Sequence, residues 1–213
     1  MQTISMIDKN WRQTQKEEAA TWLIKDPVLR REKMMRETIR YPLLAKQMGL
    51  TYLDTSWMEI FDVGGGPFGG VSSILPCKAS YVIDPLVSEY KKYFSCYNYS
   101  TKKAEDLKAD FNSADLVIVT NALDHFEDPE LFLKNMIDNT RPSTYFAHFH
   151  AIDNAISHPH KAHVHNINPK MINYWLNKDF ECVWYMDFER DGLTYGWRKQ
   201  PAFSGLYRKV TGY

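Results

Sequence analysis

The feature that most constrains this chain is a glycine-rich stretch, residues 64–70, that directly follows an apolar run of strand length, residues 58–63. About twenty residues after the first glycine, a second apolar run, residues 80–83, leads into Asp84. A glycine-rich turn after a first strand lets the backbone approach a nucleotide-like ligand. An acidic side chain at the end of the next strand can accept hydrogen bonds from ribose hydroxyls. The combination predicts a nucleotide-type cofactor at the carboxyl ends of parallel strands.

The rest of the chain repeats the alternation of apolar runs and helix-like stretches. Further runs cover residues 115–119 and 143–147, and helix candidates cover residues 71–75, 87–94, 103–109, 129–139 and 169–176. Continuous apolar strands separated by helices are typical of parallel strands that are buried on both faces. Two aromatic-rich strand candidates near the end, 181–188 and 203–210, have a connection short enough for an antiparallel hairpin. We therefore expect a Rossmann-like, doubly wound α/β sheet, mostly parallel with an antiparallel last strand.

The first quarter of the chain has a different residue pattern. Residues 8–48 are charged, poor in glycine and helical in character, with Pro27 and Pro42 at helix starts or breaks. Apolar residues interleaved with basic ones between the two prolines predict an amphipathic helix that packs on the main body: Leu29, Met34, Met35 and Ile39. We expect residues 1–56 to form an N-terminal helical extension or lid, and residues 57–213 to form the cofactor-binding domain.

Composition restricts the partners and the compartment. Lys+Arg and Asp+Glu both number 26, so no whole-molecule charge attracts nucleic acid, and we expect none as a partner. No apolar run is long enough to span a bilayer, and the first ten residues lack the pattern of a signal peptide, so we expect no membrane association. Three widely spaced cysteines suggest reduced thiols and a cytoplasmic location: Cys77, Cys96 and Cys182. The oligomeric state stays open.

The glycine spacing alone leaves two cofactor classes open. Gly64, Gly66 and Gly69 fit the G-x-G-x-x-G pattern of nicotinamide cofactors. However, Asp62 precedes the turn, where its charge would repel a pyrophosphate if it faced the site, and Pro67 removes one backbone N–H from the turn. A cofactor that carries sulfonium and ammonium charges tolerates a nearby carboxylate.

At this point the sequence resembles a known family. Asp62-Val63-Gly64-Gly65-Gly66-Pro67 resembles the acidic-x-Gly-x-Gly motif of class I methyltransferases that use S-adenosyl-L-methionine (SAM), in particular the small-molecule, ubiquinone-biosynthesis-like (type 11) domain. Other segments follow in the expected order: 82–84, 104–107, 114–119 with 121–126, and 163–176. Phe68 stands where the family often has a third glycine, and Gly69 and Gly70 follow it.

The resemblance implies a set of cofactor-binding residues in this chain. They are Asp62, Gly64, Gly65, Gly66 and Pro67 in the turn, Asp84 and Pro85 after the second strand, Glu105 and Asp106 beside the adenine, and Asn121 and Ala122 after the fourth strand. Arg36, Arg40 and Tyr41 are candidates to reach the carboxylate of SAM.

All seven histidines lie between residues 125 and 165, and six form His-x-His pairs: His148/His150, His158/His160 and His163/His165. Such pairs could chelate a metal, but no cysteine lies nearby, so we expect no metal site. A general base suits an oxygen acceptor better. We expect His125, His148 or His150 to act in catalysis, with His125 first because its loop follows the fourth strand.

These observations predict a SAM-dependent methyltransferase that acts on a small-molecule acceptor, with sugars, other hydroxyl compounds and amines as candidates. Two alternatives remain open. One is an NAD(P)-dependent oxidoreductase, and the other is a non-catalytic protein of the same fold that binds SAM or S-adenosyl-L-homocysteine (SAH).

Overall fold

A computed structural model describes residues 11, 13, 15–20, 22–91, 98–151, 165–176, 178–188 and 202–210. Within this part of the chain, seven strands form one sheet: β1 (Glu59–Val63), β2 (Ala79–Ile83), β3 (Tyr99–Ser100), β4 (Leu116–Thr120), β5 (Tyr145–Ala151), β6 (Phe180–Asp187) and β7 (Ala202–Lys209). Their spatial order is β3-β2-β1-β4-β5-β7-β6. Strands β1 to β5 pair in parallel, whereas β7 is antiparallel to both β5 and β6. The predicted doubly wound sheet with an antiparallel last strand is confirmed.

The order of the sheet determines where a ligand can bind. From β1 the chain moves outward through β2 to β3, and then returns to the other side of β1 with β4. The connections after β1 and β4 therefore diverge, and in open α/β sheets the crevice between such connections binds the ligand. The glycine-rich turn follows β1 directly, so it lies at this crevice.

Five α-helices are described with defined bounds: α1 (Pro27–Thr38), α2 (Tyr41–Gln47), α3 (Val87–Tyr90), α4 (Pro129–Asn139) and α5 (Pro169–Leu176). Proline stands in the first turn of α1 and of α4, where its missing N–H costs nothing, and an aspartate precedes each. Asp26 accepts from the backbone N–H groups of Val28 and Leu29, and Asp128 accepts from that of Leu131. The predicted bounds 129–139 and 169–176 are confirmed.

Ahead of α1, residues 15–20 are helical, and we call residues 11–22 the N-terminal segment. The two faces of the sheet carry separate apolar cores. One core contains Phe111, Phe132 and Phe146, and the other contains Met48, Ile60 and Phe149. Strands β1 and β4 are buried along nearly their whole length, as expected for strands covered on both faces.

The structure corrects three local predictions in the body of the chain and adds one strand. The helix predicted at 103–109 is a 3₁₀ turn, Ala104–Asp106, and the stretch at 71–75 is also 3₁₀, Val71–Ile74. The short strand β3 was missed, since two residues give no readable alternation. Strand β5 starts later and continues to Ala151, because its pairing with β7 extends the ladder.

The fourth correction concerns α1. Its apolar residues do not pack on the main body, since none of its side chains is buried and Met35 and Ile39 are 60% and 77% exposed. The face that α1 turns to the protein is charged, with Lys33 and Glu37 lining the cavity described below. Among the described residues, no helix is both long and apolar enough to cross a membrane.

Candidate functional site

The turn after β1 is built from glycines with different surroundings. Gly64 and Gly66 both have positive φ values, 74° and 66°, a region that side-chain-bearing residues rarely adopt. A Cβ atom at Gly64 would collide with the Cβ atom of Ala122, so this glycine allows the β1 and β4 loops to approach each other. A Cβ atom at Gly66 would meet no atom within 4 Å. The turn therefore leaves open space above Gly66.

Asp62 lies beneath this turn. Its side chain is fully buried, and one carboxylate oxygen accepts from the backbone N–H of Ser72 at 2.9 Å. The same oxygen lies where a Cβ atom at Gly70 would be, so the glycine permits the carboxylate to pack under the loop. Burial raises the pKa of Asp62 to about 6. The structure corrects the argument that Asp62 repels an anion in the site, because this side chain supports the loop from below and is not among the described residues that line the cavity.

Asp84 follows β2 and faces the same turn. Its carboxylate accepts from the backbone N–H of Gly66 at 3.1 Å and from that of Leu86 at 2.9 Å. Burial is the main cause that raises the pKa of Asp84 to about 7. Asp84 is thus held rigidly at the carboxyl end of β2, next to the open space above Gly66.

A cavity of about 740 Å³ opens at the carboxyl ends of the parallel strands. The residues at or next to the ends of β1, β2, β4 and β5 line it: Val63, Ile83, Thr120 and Ala151. Most of the predicted cofactor-binding residues also line it: Gly64, Gly65, Gly66, Pro67, Asp84, Pro85, Glu105, Asn121 and Ala122. The structure thus brings these nine residues together around one space.

The segment predicted to contact the adenine and the loop after the fourth strand contribute differently to the cavity. Glu105 lines it, and its carboxylate accepts from the backbone N–H of Asp128 at 3.0 Å, whereas Asp106 is exposed and is not among the described lining residues. Asn121 has a positive φ of 51°, and its side-chain oxygen accepts from the backbone N–H of Ala151. That bond ties the β4 loop to the end of β5.

The opposite wall comes from the N-terminal segment, α1 and α2. Three residues predicted to reach the cofactor line this wall: Arg36, Arg40 and Tyr41. Arg40 is paired with Glu37 at 3.0 Å. Sequence analysis missed further residues that line the cavity, among them Trp11, Glu18, Trp22 and Lys103. The N-terminal residues carry no motif that could have identified them, whereas Lys103 directly precedes the segment predicted to contact the adenine.

Two tryptophans fasten the N-terminal segment to the cavity loops. The indole N–H of Trp11 donates to the backbone carbonyl of His125 at 3.1 Å, and Lys103 Nζ lies 4.2 Å from the Trp11 ring centroid. Trp22 makes an edge-to-face contact with the ring of Phe68 in the glycine-rich turn. Lys33 Nζ lies 3.8 Å from the centroid of the Trp22 ring. The segment therefore spans the cavity from the β4 loop to the β1 loop.

Of the three histidines predicted to act in catalysis, His125 lines the cavity. Its Nδ1 atom lies 4.0 Å from a carboxylate oxygen of Glu18, and its Nε2 atom lies 3.7 Å from one of Asp124. His125 is thus placed between a carboxylate of the N-terminal segment and a buried carboxylate of its own loop.

His148 and His150 lie inside β5 and are not among the described residues that line the cavity. His148 is packed among Phe146, Phe203 and Tyr207, and within the described part of the chain neither of its ring nitrogens has a hydrogen-bond partner. Burial lowers its pKa to about 3, so it is neutral at physiological pH. His150 Nδ1 lies 3.9 Å from Asp124, behind His125.

Of the two remaining histidine pairs, the structure describes His165. His158, His160 and His163 lie outside the described residues. His165 Nε2 is within hydrogen-bond distance of the backbone carbonyls of Phe126 and Glu127. The described residues contain no group of three side chains that could hold a metal ion.

Comparisons with known proteins agree with this geometry. Residues 61–148 match a family model described as a methyltransferase domain. No curated protein sequence matches the chain. The structure is similar to that of the N-methyltransferase NodS from Bradyrhizobium japonicum WM9 in complex with SAH, with 17% identity, a TM-score of 0.62, and 95% of this chain and 100% of that chain covered.

Two further structures have the same fold. One is a chain of the complex between the Haloferax volcanii Trm112 methyltransferase activator and a methyltransferase, with 14% identity, a TM-score of 0.62, and coverage of 85% of this chain and 94% of that chain. The other is the [4+2]-cyclase SpnF, with 11% identity, a TM-score of 0.56, and coverage of 81% and 80%. Together with the family model, these likenesses confirm the resemblance to class I methyltransferases and the Rossmann-like fold.

Proposed function

We propose that this chain is a SAM-dependent methyltransferase that acts on a small-molecule acceptor. The observation that carries the proposal is the open space above Gly66, bordered by the buried carboxylate of Asp84 at the carboxyl ends of β1 and β2. A nucleoside fits such a place, because backbone without a side chain lets it approach and a fixed carboxylate accepts from its ribose hydroxyls.

The residues on this wall have distinct roles in holding the cofactor. Asp84 binds the ribose hydroxyls, and Gly64, Gly65 and Gly66 let the backbone lie close to the amino-acid part. Pro85 and Glu105 border the nucleoside, and Asn121 and Ala122 border the region where the methyl group is transferred. Asp62 acts from below by fixing the loop, and we assign Asp106 no contact because its side chain points to solvent.

When bound, SAM supplies a methyl group on a positively charged sulfur, which becomes a neutral thioether when the acceptor takes the methyl group. The protein's task is to hold the acceptor in line and to exclude water. The N-terminal segment acts as the lid that closes the site, and it belongs to an extension formed by residues 1–56. We assign His125 the proton that the acceptor oxygen or nitrogen loses, since it lines the cavity beside the β4 loop.

The acceptor is best sought among small hydroxyl compounds, sugars included, and amines. The carboxylate of Glu18, which lines the cavity beside His125, suits a polar acceptor, and the neutral overall charge offers nothing that selects nucleic acid. NodS, which has a similar fold, is described as an N-methyltransferase, and this supports including amines in the search.

The alternatives differ in what they bind and in what they release. An NAD(P)-dependent oxidoreductase would bind NADH, and a SAM- or SAH-binding protein without catalysis would bind SAM but transfer nothing. SpnF, which has a similar fold, is described as a [4+2]-cyclase, so the fold alone does not select methyl transfer, and the labelling test below decides between the proposal and these alternatives.

The test is to incubate the protein with methyl-labelled SAM and fractionated small-molecule extract, and to measure label in products other than SAM. The Asp84→Ala variant, checked for its folded state, serves as the blank. We expect label in at least one fraction with the wild-type protein and none above background with the variant. Binding of NADH in place of SAM, or equal labelling by both proteins, would contradict the proposal.

A further inference from the structure

Glu18 is an acidic residue of the N-terminal segment that no motif singled out. It lines the cavity, and each of its two carboxylate oxygens faces a different neighbour. One oxygen accepts from the indole N–H of Trp22 at 2.5 Å, and the other lies 4.0 Å from Nδ1 of His125. The side chain is 25% exposed, so its charge is partly shielded from water without being fully desolvated.

The charge of this carboxylate acts at both ends of the site. Towards the second strand, its charge adds to burial in raising the pKa of Asp84 and of Tyr90, so it is within electrostatic reach of the ribose end. Towards the fourth strand, it faces His125, which borders the acceptor end. Glu18 therefore lines the same stretch of cavity as the groups that we assign to ribose and to the acceptor.

Lys33 supplies a positive charge that interacts with Glu18 on the lid side. Burial lowers the pKa of Lys33, while the carboxylates of Glu37 and Glu18 oppose that effect. The ammonium group lies over the ring of Trp22, at the side of the segment that faces the glycine-rich turn. The negative charge of Glu18 is thus partly offset by Lys33 on the lid side. Its second oxygen lies on the cavity side, near His125.

The chemistry of SAM places a charge in this stretch. Its sulfonium is attached to the 5′ carbon of the ribose and carries the methyl group that the acceptor takes, so it lies between ribose and acceptor. SAH has the same ribose, adenine, ammonium and carboxylate groups but a neutral sulfur. A carboxylate near the sulfur therefore distinguishes the two by charge alone.

We propose that Glu18 recognises the sulfonium charge and makes the site favour SAM over SAH. This inference rests on the proposed function. Its consequence is that the attraction between lid and cofactor weakens once the methyl group has left, which favours opening of the N-terminal segment and release of the product. Glu18 is a specificity-determining residue in this account, and His125 remains the residue that accepts the proton from the acceptor.

The test is to measure dissociation constants of SAM and of SAH by calorimetry for the wild-type protein and for Glu18→Gln. We expect SAM binding to weaken and SAH binding to stay nearly constant, so that the preference for SAM falls roughly five- to tenfold. Glu18→Asp, which keeps the charge, should retain most of the preference. Glu32→Gln, an equal charge change on the exposed part of α1, should leave both constants unchanged.

Equal weakening of SAM and SAH in Glu18→Gln would overturn the inference, because a lid contact without charge recognition acts on both. An unchanged ratio in folded Glu18→Gln would overturn it as well. If the wild-type protein binds neither compound, the proposed function fails, and the inference fails with it. Thermal unfolding of each variant separates these outcomes from a loss of the fold.

Discussion

Gly64 and Gly66 have nearly the same backbone conformation but different neighbours, and this difference predicts different consequences of substitution. A side chain at Gly64 collides with Ala122, so Gly64→Val should lower stability as well as ligand binding. A side chain at Gly66 enters the open space, so Gly66→Val should cost only the strain of its positive φ, roughly 1–2 kcal/mol, while it blocks the cofactor.

Thermal unfolding and SAH calorimetry on the two variants check this prediction. We expect Gly66→Val to keep a clear unfolding transition and to lose at least tenfold in SAH affinity, about 1.4 kcal/mol. If Gly66→Val binds SAH as tightly as the wild-type protein, the cofactor does not occupy the space above the turn.

His125 and His148 offer a matched comparison of two histidines predicted to act in catalysis. His125 borders the cavity, so His125→Gln should lower turnover by roughly 10²–10⁴-fold for an acceptor that must lose a proton, with SAM affinity nearly unchanged. Because a base acts in its neutral form, wild-type turnover should rise with pH, and the variant should lose that rise. His148→Leu should leave turnover and its pH profile unchanged, since His148 lies in the core.

Turnover assays of both variants across pH, with the acceptor found by labelling, make the comparison. A flat wild-type pH profile and normal turnover in His125→Gln would remove the base assignment while leaving the cofactor assignment intact, because the two rest on different residues.

At the scale of elements, a tryptophan side chain at each end of the N-terminal segment contacts the cavity loops, Trp11 at one end and Trp22 at the other. Replacing Trp11 with Phe removes the hydrogen bond to the carbonyl of His125 and keeps an aromatic ring near Lys103. A neutral hydrogen bond contributes roughly 0.5–1.5 kcal/mol, so the lid should open more often. We expect SAH to dissociate about two- to tenfold faster from Trp11→Phe, as measured by stopped-flow fluorescence.

Gln13→Ala is the control for this experiment, because Gln13 is on the same helical segment, is exposed and bonds only Glu17 among the described residues. An unchanged dissociation rate in Trp11→Phe would show that the segment is a fixed wall instead of a lid.

At the scale of the whole molecule, two buried acids couple the site to stability. Burial raises the pKa of Asp62 to about 6 and of Asp84 to about 7, whereas an aspartate in the unfolded chain loses its proton near pH 3.9. Between about pH 4 and pH 7 the folded state therefore binds more protons than the unfolded state, and the free energy of unfolding falls as pH rises.

This sign predicts that Asp84→Asn stabilises the ligand-free protein at pH 8, because removal of the buried charge outweighs the loss of one backbone hydrogen bond. The amide oxygen can still accept from Gly66, while the amide NH2 group faces the N–H of Leu86. We expect a midpoint of thermal unfolding roughly 2–4 °C higher than that of the wild-type protein, with a smaller decrease between pH 5 and pH 8. A lower midpoint at pH 8, or an unchanged pH dependence, would show that Asp84 is not destabilised by burial.

Sequence analysis predicted the fold well where a local pattern was strong. The strand that runs into glycines and the helices that begin with Asp-Pro, as at Asp128-Pro129, are local signals, and the structure has them where they were expected. The Rossmann-like, mostly parallel arrangement of the sheet followed from the alternation of elements. The bounds of β5 did not, because the strand is extended by pairing with β7 from a distant part of the sequence.

The site could be predicted only in part. The glycine-rich turn, Asp84 and the β4 loop are adjacent in the fold because their strands are adjacent in the sheet, so topology brings them together. Trp11, Glu18 and Trp22 reach the cavity because the N-terminal segment contacts loops that are distant in sequence, at His125 and Phe68, and no spacing indicates them. Asp62 has the predicted position but lies beneath the loop, which only packing could show.

The measurement that tests the central claim most directly is calorimetric titration of SAH into the wild-type protein and into folded Asp84→Ala. The account predicts one site per chain in the wild-type protein. It also predicts a loss of roughly 1.5–3 kcal/mol in the variant, because a charged group that accepts from the ribose is removed. Equal affinity of the two proteins for SAH, or no binding to the wild-type protein, would contradict the claim that this cavity holds SAM.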